Sequence, residues 1–248
     1  MTNVLLSEDI GAVRRLTMNR PDKLNALNNE LTAALLDGLL AADAASHINA
    51  VILTATGRGF CVGADVTEFK DMTANNPDIA LARGALTTKL HAAFVQISVP
   101  VICAINGFAV GGGCGIAVAG DMAIACESAK FGYPEVKRGA VAAVVMSNLV
   151  RHVGRKMAYE LVALGEHFSA EEARKLGLIN RVVPDERLQA EALGIAQRIA
   201  DGERHAQRAT KRLFHRVADM KLLDALEIGR DANMIMRSYT IRGTAKAN

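Results

Sequence analysis

The stretch Asn106-Gly107-Phe108-Ala109-Val110-Gly111-Gly112-Gly113-Cys114-Gly115 concentrates backbone chemistry, because four of its last five residues are glycine. The apolar run Val101 to Ile105 before it reads as a buried strand, and Ile116 to Ala119 after it as the start of a buried helix. A strand that passes through glycines into a helix exposes N–H groups at the helix N-terminus, where partial positive charge gathers. Such a site can hold phosphate, or it can stabilise an oxyanion. The phosphate fingerprints do not fit. Reading G-x-G-x-x-G from Gly111 puts Ile116 at the sixth position, reading from Gly113 puts Val118 there, and no G-x-x-x-x-G-K occurs.

A second glycine loop precedes it: Gly57-Arg58-Gly59-Phe60-Cys61-Val62-Gly63-Ala64-Asp65. It also follows a strand, Ala50 to Thr54, and leads into a polar, helix-compatible stretch that Asp65 is suited to cap. Taken singly, each loop could be only a tight turn. Two strand-end loops in adjacent βα units can also bring two N–H donors to one point, which is what an enolate or tetrahedral oxyanion needs. The third element is Phe131-Gly132-Tyr133-Pro134-Glu135-Val136. A lone Glu is most often a surface residue, but in a dry pocket its pKa rises and it suits general acid–base work.

These residues need a scaffold. Val4 to Leu6 and Ala12 to Met18, either side of Gly11, read as a β-hairpin. Asn29 to Ala45 reads as a helix with Leu31, Leu35 and Leu39 on one stripe, and Ile79 to Ile97 as another. Met122 to Cys126 is a further strand, so strands and helices alternate as in parallel βαβ units. Ser169-Ala170-Glu171-Glu172 is a capping box opening a short helix that stops near Gly177, and Asn180 to Val183 is extended up to Pro184. Beyond Asp185 the chain reads as helices.

Composition narrows the class. Of 248 residues half are hydrophobic, but only 4% are aromatic and none is Trp, so the core is aliphatic and Ala-rich. The formal charge of +3 is spread without a basic, aromatic-interleaved stripe, which argues against nucleic acid. Arg204, Arg208, Lys211, Arg212 and Arg216 form the most basic part, either a solvated helix face or a site for an anionic ligand tail. Cys61, Cys103, Cys114 and Cys126 show no metal spacing; three lie in apolar runs and read as core residues of a reducing compartment. With no secretory pattern at the N-terminus and no uncharged apolar run of 18 residues, the expectation is a soluble, cytoplasmic protein without a metal or a membrane partner.

Four motifs then agree in order and spacing: Asn19-Arg20-Pro21-Asp22-Lys23-Leu24-Asn25-Ala26-Leu27; Gly63-Ala64-Asp65; Asn106-Gly107 with Gly111-Gly112-Gly113-Cys114; and Phe131-Gly132-Tyr133-Pro134-Glu135. Over roughly residues 4 to 200 the chain resembles the crotonase superfamily, the enoyl-CoA hydratase/isomerase family. The resemblance implies an α/β fold, a spiral of stacked ββα units (residues 1–195) followed by a helical C-terminal trimerisation region (196–248). It implies a homotrimer or a hexamer of two trimers acting on an acyl-CoA thioester, with coenzyme A carried by the substrate and no other cofactor. It places the oxyanion hole on the N–H groups of Ala64 and Gly112 and the acid/base on Glu135. Lys23, Leu24, Ala26, Arg58, Asp65 and Val66 would line the CoA thioester site.

The chain departs from the family where hydratases carry a second glutamate directly after the position of Cys114; here stands Gly115. Syn hydration shares work between two carboxylates, one holding water and one delivering a proton. A single Glu can still shuttle a proton between two carbons, so the residues favour an isomerase while overall resemblance favours an enoyl-CoA hydratase. Glu68, Asp71 and His91 could replace the missing carboxylate, or each is simply a surface or structural residue. Acyl-CoA hydrolysis or decarboxylation, or acyl-CoA binding without chemistry, are the alternatives.

Overall fold

The computed structural model describes residues 3–72 and 75–244, the side chains of 71 and 239–244 excepted. Strands β1 (Leu5–Ile10) and β2 (Val13–Met18) form the expected antiparallel hairpin. Helix α1 (Asn29–Ala44) starts where the Asn28 side chain accepts from the Leu31 N–H, and it buries Leu31, Leu35 and Leu39. Three ββα units follow in succession: β3 (Ala50–Ala55), β4 (Gly59–Cys61) and α2 (Pro77–Gln96); β5 (Val101–Ile105), β6 (Phe108–Val110) and α3 (Gly112–Ala119); β7 (Met122–Cys126), β8 (Lys130–Gly132) and α4 (Ala143–Leu164). Then come β9 (His167–Ser169), α5 (Ala170–Lys175), β10 (Arg181–Val183), α6 (Leu188–Ala200), α7 (Arg204–Val217) and α8 (Leu222–Thr244).

The first strand of each unit joins a six-stranded sheet ordered β1-β2-β3-β5-β7-β10, parallel from β2 onward. The second strand joins a four-stranded sheet, β4-β6-β8-β9. Each unit therefore steps once along both sheets, which is what makes a spiral. Strands β3 and β5 are buried along their whole length, as continuous apolar runs in parallel sheets require. The predicted strands of the larger sheet are all present. In the smaller sheet β4 and β6 lie inside segments read as loops and β8 and β9 where no strand is read, and α3 begins at Gly112, four residues before the predicted start at Ile116.

The basic C-terminal residues divide: Arg212 and Arg216 are exposed on α7, while Arg204, Arg208 and Lys211 are tied to the body of the protein. Arg208 donates to the carboxylate of Asp43 at 2.8 Å and to Ser98 Oγ at 2.7 Å. Buried Lys211 pairs with Asp121 at 2.7 Å and donates to the Val99 carbonyl at 3.0 Å, and His215 meets Asp121 at 3.0 Å. The same two carboxylates accept from the backbone N–H groups of Ser98, Val99 and Val101. Helix α7 thus clamps the segment that enters β5. Helix α6 packs against β2, β3, β5 and β7, so a division at 195/196 falls within a helix seated on the main sheet. Among the described residues no helix is long and apolar enough to cross a membrane.

Candidate active site

Backbone geometry brings the two glycine loops together. Ala64 bridges Leu27 in parallel: the Leu27 N–H donates to the Gly63 carbonyl at 2.8 Å, and the Asp65 N–H donates to the Leu27 carbonyl at 2.9 Å. When a parallel bridge uses the oxygen before a residue and the N–H after it, that residue's own N–H points the other way. For Ala64 the other way is toward α3. A Cβ on Gly63, whose φ is +87°, would stand 3.2 Å from the Gly112 nitrogen, and one on Gly112 would stand 4.0 Å from the Ala64 nitrogen. Gly112 opens α3, so its N–H has no acceptor within the helix. Two N–H donors, one carried by a helix N-terminus, therefore face one small space. This arrangement can bind developing negative charge on a carbonyl oxygen.

Close packing explains the run of glycines. A Cβ on Gly113 would lie 2.0 Å from the Cys61 carbonyl oxygen, so α3 can seat on β4 only with glycine there. Gly111 has φ +56°, and its N–H donates to the Gly132 carbonyl at 2.8 Å, tying the start of α3 to β8.

Glu135 approaches from β8. Pro134 opens a 3-10 turn, Pro134–Arg138, which left-handed Gly139 ends. The carboxylate lies against the bare face of Gly111: Glu135 Oε1 is 2.7 Å from where a Cβ would stand. Its Oε2 is buried without a protein partner among the described residues. Burial pushes the carboxyl pKa up, opposed by its own backbone N–H and by the charge of Arg138. A half-buried carboxylate with an unpartnered oxygen beside two free N–H donors is equipped to move a proton.

A cleft of about 620 Å³ leads away from this point. Lys23, Leu24, Ala26, Arg58, Ala64, Asp65 and Val66 all line it, as do Val110, Pro134, Arg138 and His167. Ala64 itself, Pro134 next to Glu135 and Val110 two residues before Gly112 connect the cleft to the two donors and the carboxylate. Arg138 and His167 have no place in the sequence-based set. The Asp65 side chain is already committed, accepting from Thr67 and from Arg20 at 2.9 Å, and these hydrogen bonds hold its pKa down. It can offer the cleft only its backbone.

Three residues missed in the sequence hold the cleft wall. Leu24 and Asn25 both have positive φ, a conformation costly for side chains. The buried Asn25 amide offsets this by accepting from the Arg20 N–H and donating to the Thr56 and Gly59 carbonyls. Arg20 bonds the Ala26 carbonyl and Asp65, and buried Arg83 donates to the Leu27 carbonyl at 2.6 Å and bonds Glu68. The residue that bridges Ala64 is therefore braced from both sides.

All four cysteines are buried and unpaired, and burial pushes the Cys61, Cys103 and Cys114 thiols up to about 12, so none is a ready nucleophile.

The position of the missing glutamate is filled. A Cβ on Gly115 would stand 2.2 Å from Val145 Cγ1 and 3.0 Å from His91 Cε1. Glu68 is spoken for by the Asn29 N–H and Arg83, and the Asp71 side chain lies outside the described residues. Gly115→Glu is therefore expected to destabilise the protein by about 1–3 kcal/mol through overpacking. It should give no gain in crotonyl-CoA hydration. Adding Val145→Ala should recover part of the loss in thermal midpoint, read by differential scanning fluorimetry.

A spiral of ββα units of this kind is the crotonase fold. The family model for enoyl-CoA hydratase/isomerase matches residues 8–242. A probable enoyl-CoA hydratase of Rhizobium meliloti (strain 1021) is 37% identical, with 91% of this chain and 86% of its own covered. The 1,2-epoxyphenylacetyl-CoA isomerase of Escherichia coli (strain K12) is also 37% identical, with 81% of this chain and 77% of its own covered. A solved enoyl-CoA hydratase of Mycobacterium smegmatis superposes with a TM-score of 0.89 at 30% identity, covering 94% of this chain and 90% of that one. The chain belongs to the enoyl-CoA hydratase/isomerase family.

Proposed function

We propose that this protein moves a proton on an enoyl-CoA thioester through an enolate, with Glu135 as base and then acid and the Ala64 and Gly112 N–H groups as the oxyanion hole. The observation that carries this reading is the unpartnered Glu135 oxygen beside Gly111, one residue from the free Gly112 N–H. An α-proton next to a thioester is only weakly acidic. Its removal needs the enolate oxygen stabilised where water is scarce. This chemistry can be carried by backbone donors and one carboxylate. Lys23, Leu24, Ala26, Arg58, Asp65 and Val66 would meet the CoA portion along the cleft, Asp65 through its backbone.

Isomerisation of a 3-enoyl-CoA to the 2-enoyl isomer is the favoured reaction, because Val145 and His91 occupy the space beside Gly115 where a second glutamate would stand. Glu135 takes the proton from the α-carbon, the electron pair delocalises to the thioester oxygen, and the same group returns the proton to the γ-carbon. Exposed Leu222, Leu223, Leu226, Met234 and Ile235 on α8 supply the apolar surface for a homotrimer or hexamer. The test supplies purified protein with 3-hexenoyl-CoA and crotonyl-CoA and follows thioester absorbance. Faster conversion of 3-hexenoyl-CoA is expected. Tight binding of both without turnover of either overturns the reading in favour of a non-catalytic binder.

A further inference from the structure

We propose that His91 holds and deprotonates a water for addition to an enoyl-CoA, so that the same pocket carries out hydration in addition to isomerisation. The inference rests on the enolate reading above and adds the group that handles water.

The placement comes from α3. Gly112 and Gly115 are three residues apart and share a helix face. Gly111 stands against the Glu135 carboxylate, Gly112 presents the oxyanion donor, and the His91 ring edge lies 3.0 Å from where a Cβ of Gly115 would be. Glu135 and His91 are thus set against backbone positions one helical turn apart, a rise of about 5–6 Å. His91 is half-buried, yet no protein group among the described residues bonds its ring nitrogens, and neither nitrogen is sealed from solvent. A structural histidine in a protein interior normally has its nitrogens satisfied. An open nitrogen beside an active site has a water to bind. Burial lowers the ring pKa to about 4, which keeps the imidazole neutral with a free lone pair at neutral pH, at the cost of a weaker base.

The step balances. The water oxygen bonds the β-carbon, and the π pair of the double bond passes through the α-carbon to the thioester oxygen held by Ala64 and Gly112. The water proton goes to a His91 ring nitrogen. Protonated Glu135 gives its proton to the α-carbon as the enolate collapses. The imidazolium then returns a proton to the Glu135 carboxylate, and both groups end as they began. Glycine at 115 leaves the imidazole its place, which a glutamate there would take.

The test uses full-length His91→Phe and His91→Gln with three readouts: crotonyl-CoA hydration, 3-hexenoyl-CoA isomerisation, and exchange of the butanoyl-CoA α-protons in D2O followed by NMR. Phe keeps the ring volume without nitrogens; Gln keeps a polar contact but is no base. Hydration is expected to fall on the order of 100-fold or more in both, as for loss of a general base. Isomerisation and exchange should stay within about threefold of wild type, which also shows that the variants are folded. Hydration retained in both variants overturns the proposal. So does a parallel loss of all three activities, which marks His91 as structural, and so does a wild type that exchanges and isomerises without hydrating. Failure of the enolate reading looks different: no α-exchange in wild type, or exchange that survives in Glu135→Gln.

Discussion

Glu135→Gln is expected to lower 3-hexenoyl-CoA isomerisation by about 10²–10⁴-fold, the range for loss of a positioned acid–base group. Butanoyl-CoA binding should change little, because the amide fills the same space beside Gly111 and keeps a polar atom on the buried Oε2 side. The pH profile carries a second signature. Desolvation raises the Glu135 pKa, and the base form is the one that starts isomerisation. In wild type kcat/KM therefore rises with pH through a midpoint above the ordinary carboxylate range, and in the Gln variant that limb disappears. Stability moves in the opposite sense. A carboxyl with a raised folded-state pKa is favourable below its unfolded pKa and loses that contribution as pH rises through the folded value. Ionising the desolvated carboxylate is therefore a burden on the fold that grows as pH rises. The Gln variant should have an unchanged or higher thermal midpoint at pH 7, with the difference shrinking toward pH 4. Activity that persists in this variant removes Glu135 from the chemistry.

Gly112→Pro is expected to lower turnover by about 10²–10³-fold or more, the usual consequence of deleting one oxyanion donor. Proline is normally hard to place, but Gly112 is the first residue of α3, where proline is best tolerated because that N–H is unpaired in any case. The nearest atoms to a Cβ there are at 3.7 Å, an ordinary contact distance, and Gly111 before it lies outside the α region. The proline ring removes the donor and occupies its direction. Gly112→Ala is the control: it adds the Cβ, keeps the N–H, and should keep turnover within about tenfold, since the geometry that binds the oxyanion is untouched. Both variants should melt near wild type. If proline and alanine behave alike, the Gly112 N–H is not the donor.

Much of this was legible in the chain itself. The long apolar runs Ala50–Ala55 and Val101–Ile105 announce buried parallel strands, and Ser169 with Glu172 forms the full capping box. The smaller sheet was not legible, because β4, β6, β8 and β9 have three residues each, too few to show any period. The start of α3 was hidden for a related reason. Glycine is a poor helix former, and only its approach to the Cys61 carbonyl explains a helix that begins with two of them. The motif loops could be read as an oxyanion hole, but Arg20, Asn25 and Arg83, which brace them, could not. Their partners are backbone carbonyls such as Leu27, reached from 56 residues away by Arg83. The roles of Arg208 and Lys211 on α7 were not legible because charge in a sequence does not name its partner, and Asp43 and Asp121 lie far upstream.

The contact between Gly115 and Val145 has a consequence for how this chain can change. The two positions share one volume across two helices: Val145 fills the room that a side chain at 115 would need. A substitution that restores glutamate at 115 meets the valine, and one that trims the valine alone leaves a void without a carboxylate. Neither single step is favourable, so building a two-glutamate site on this chain has to cross an intermediate worse than either end. The packing of α3 against α4 thus couples the two positions, so that neither can be changed without the other.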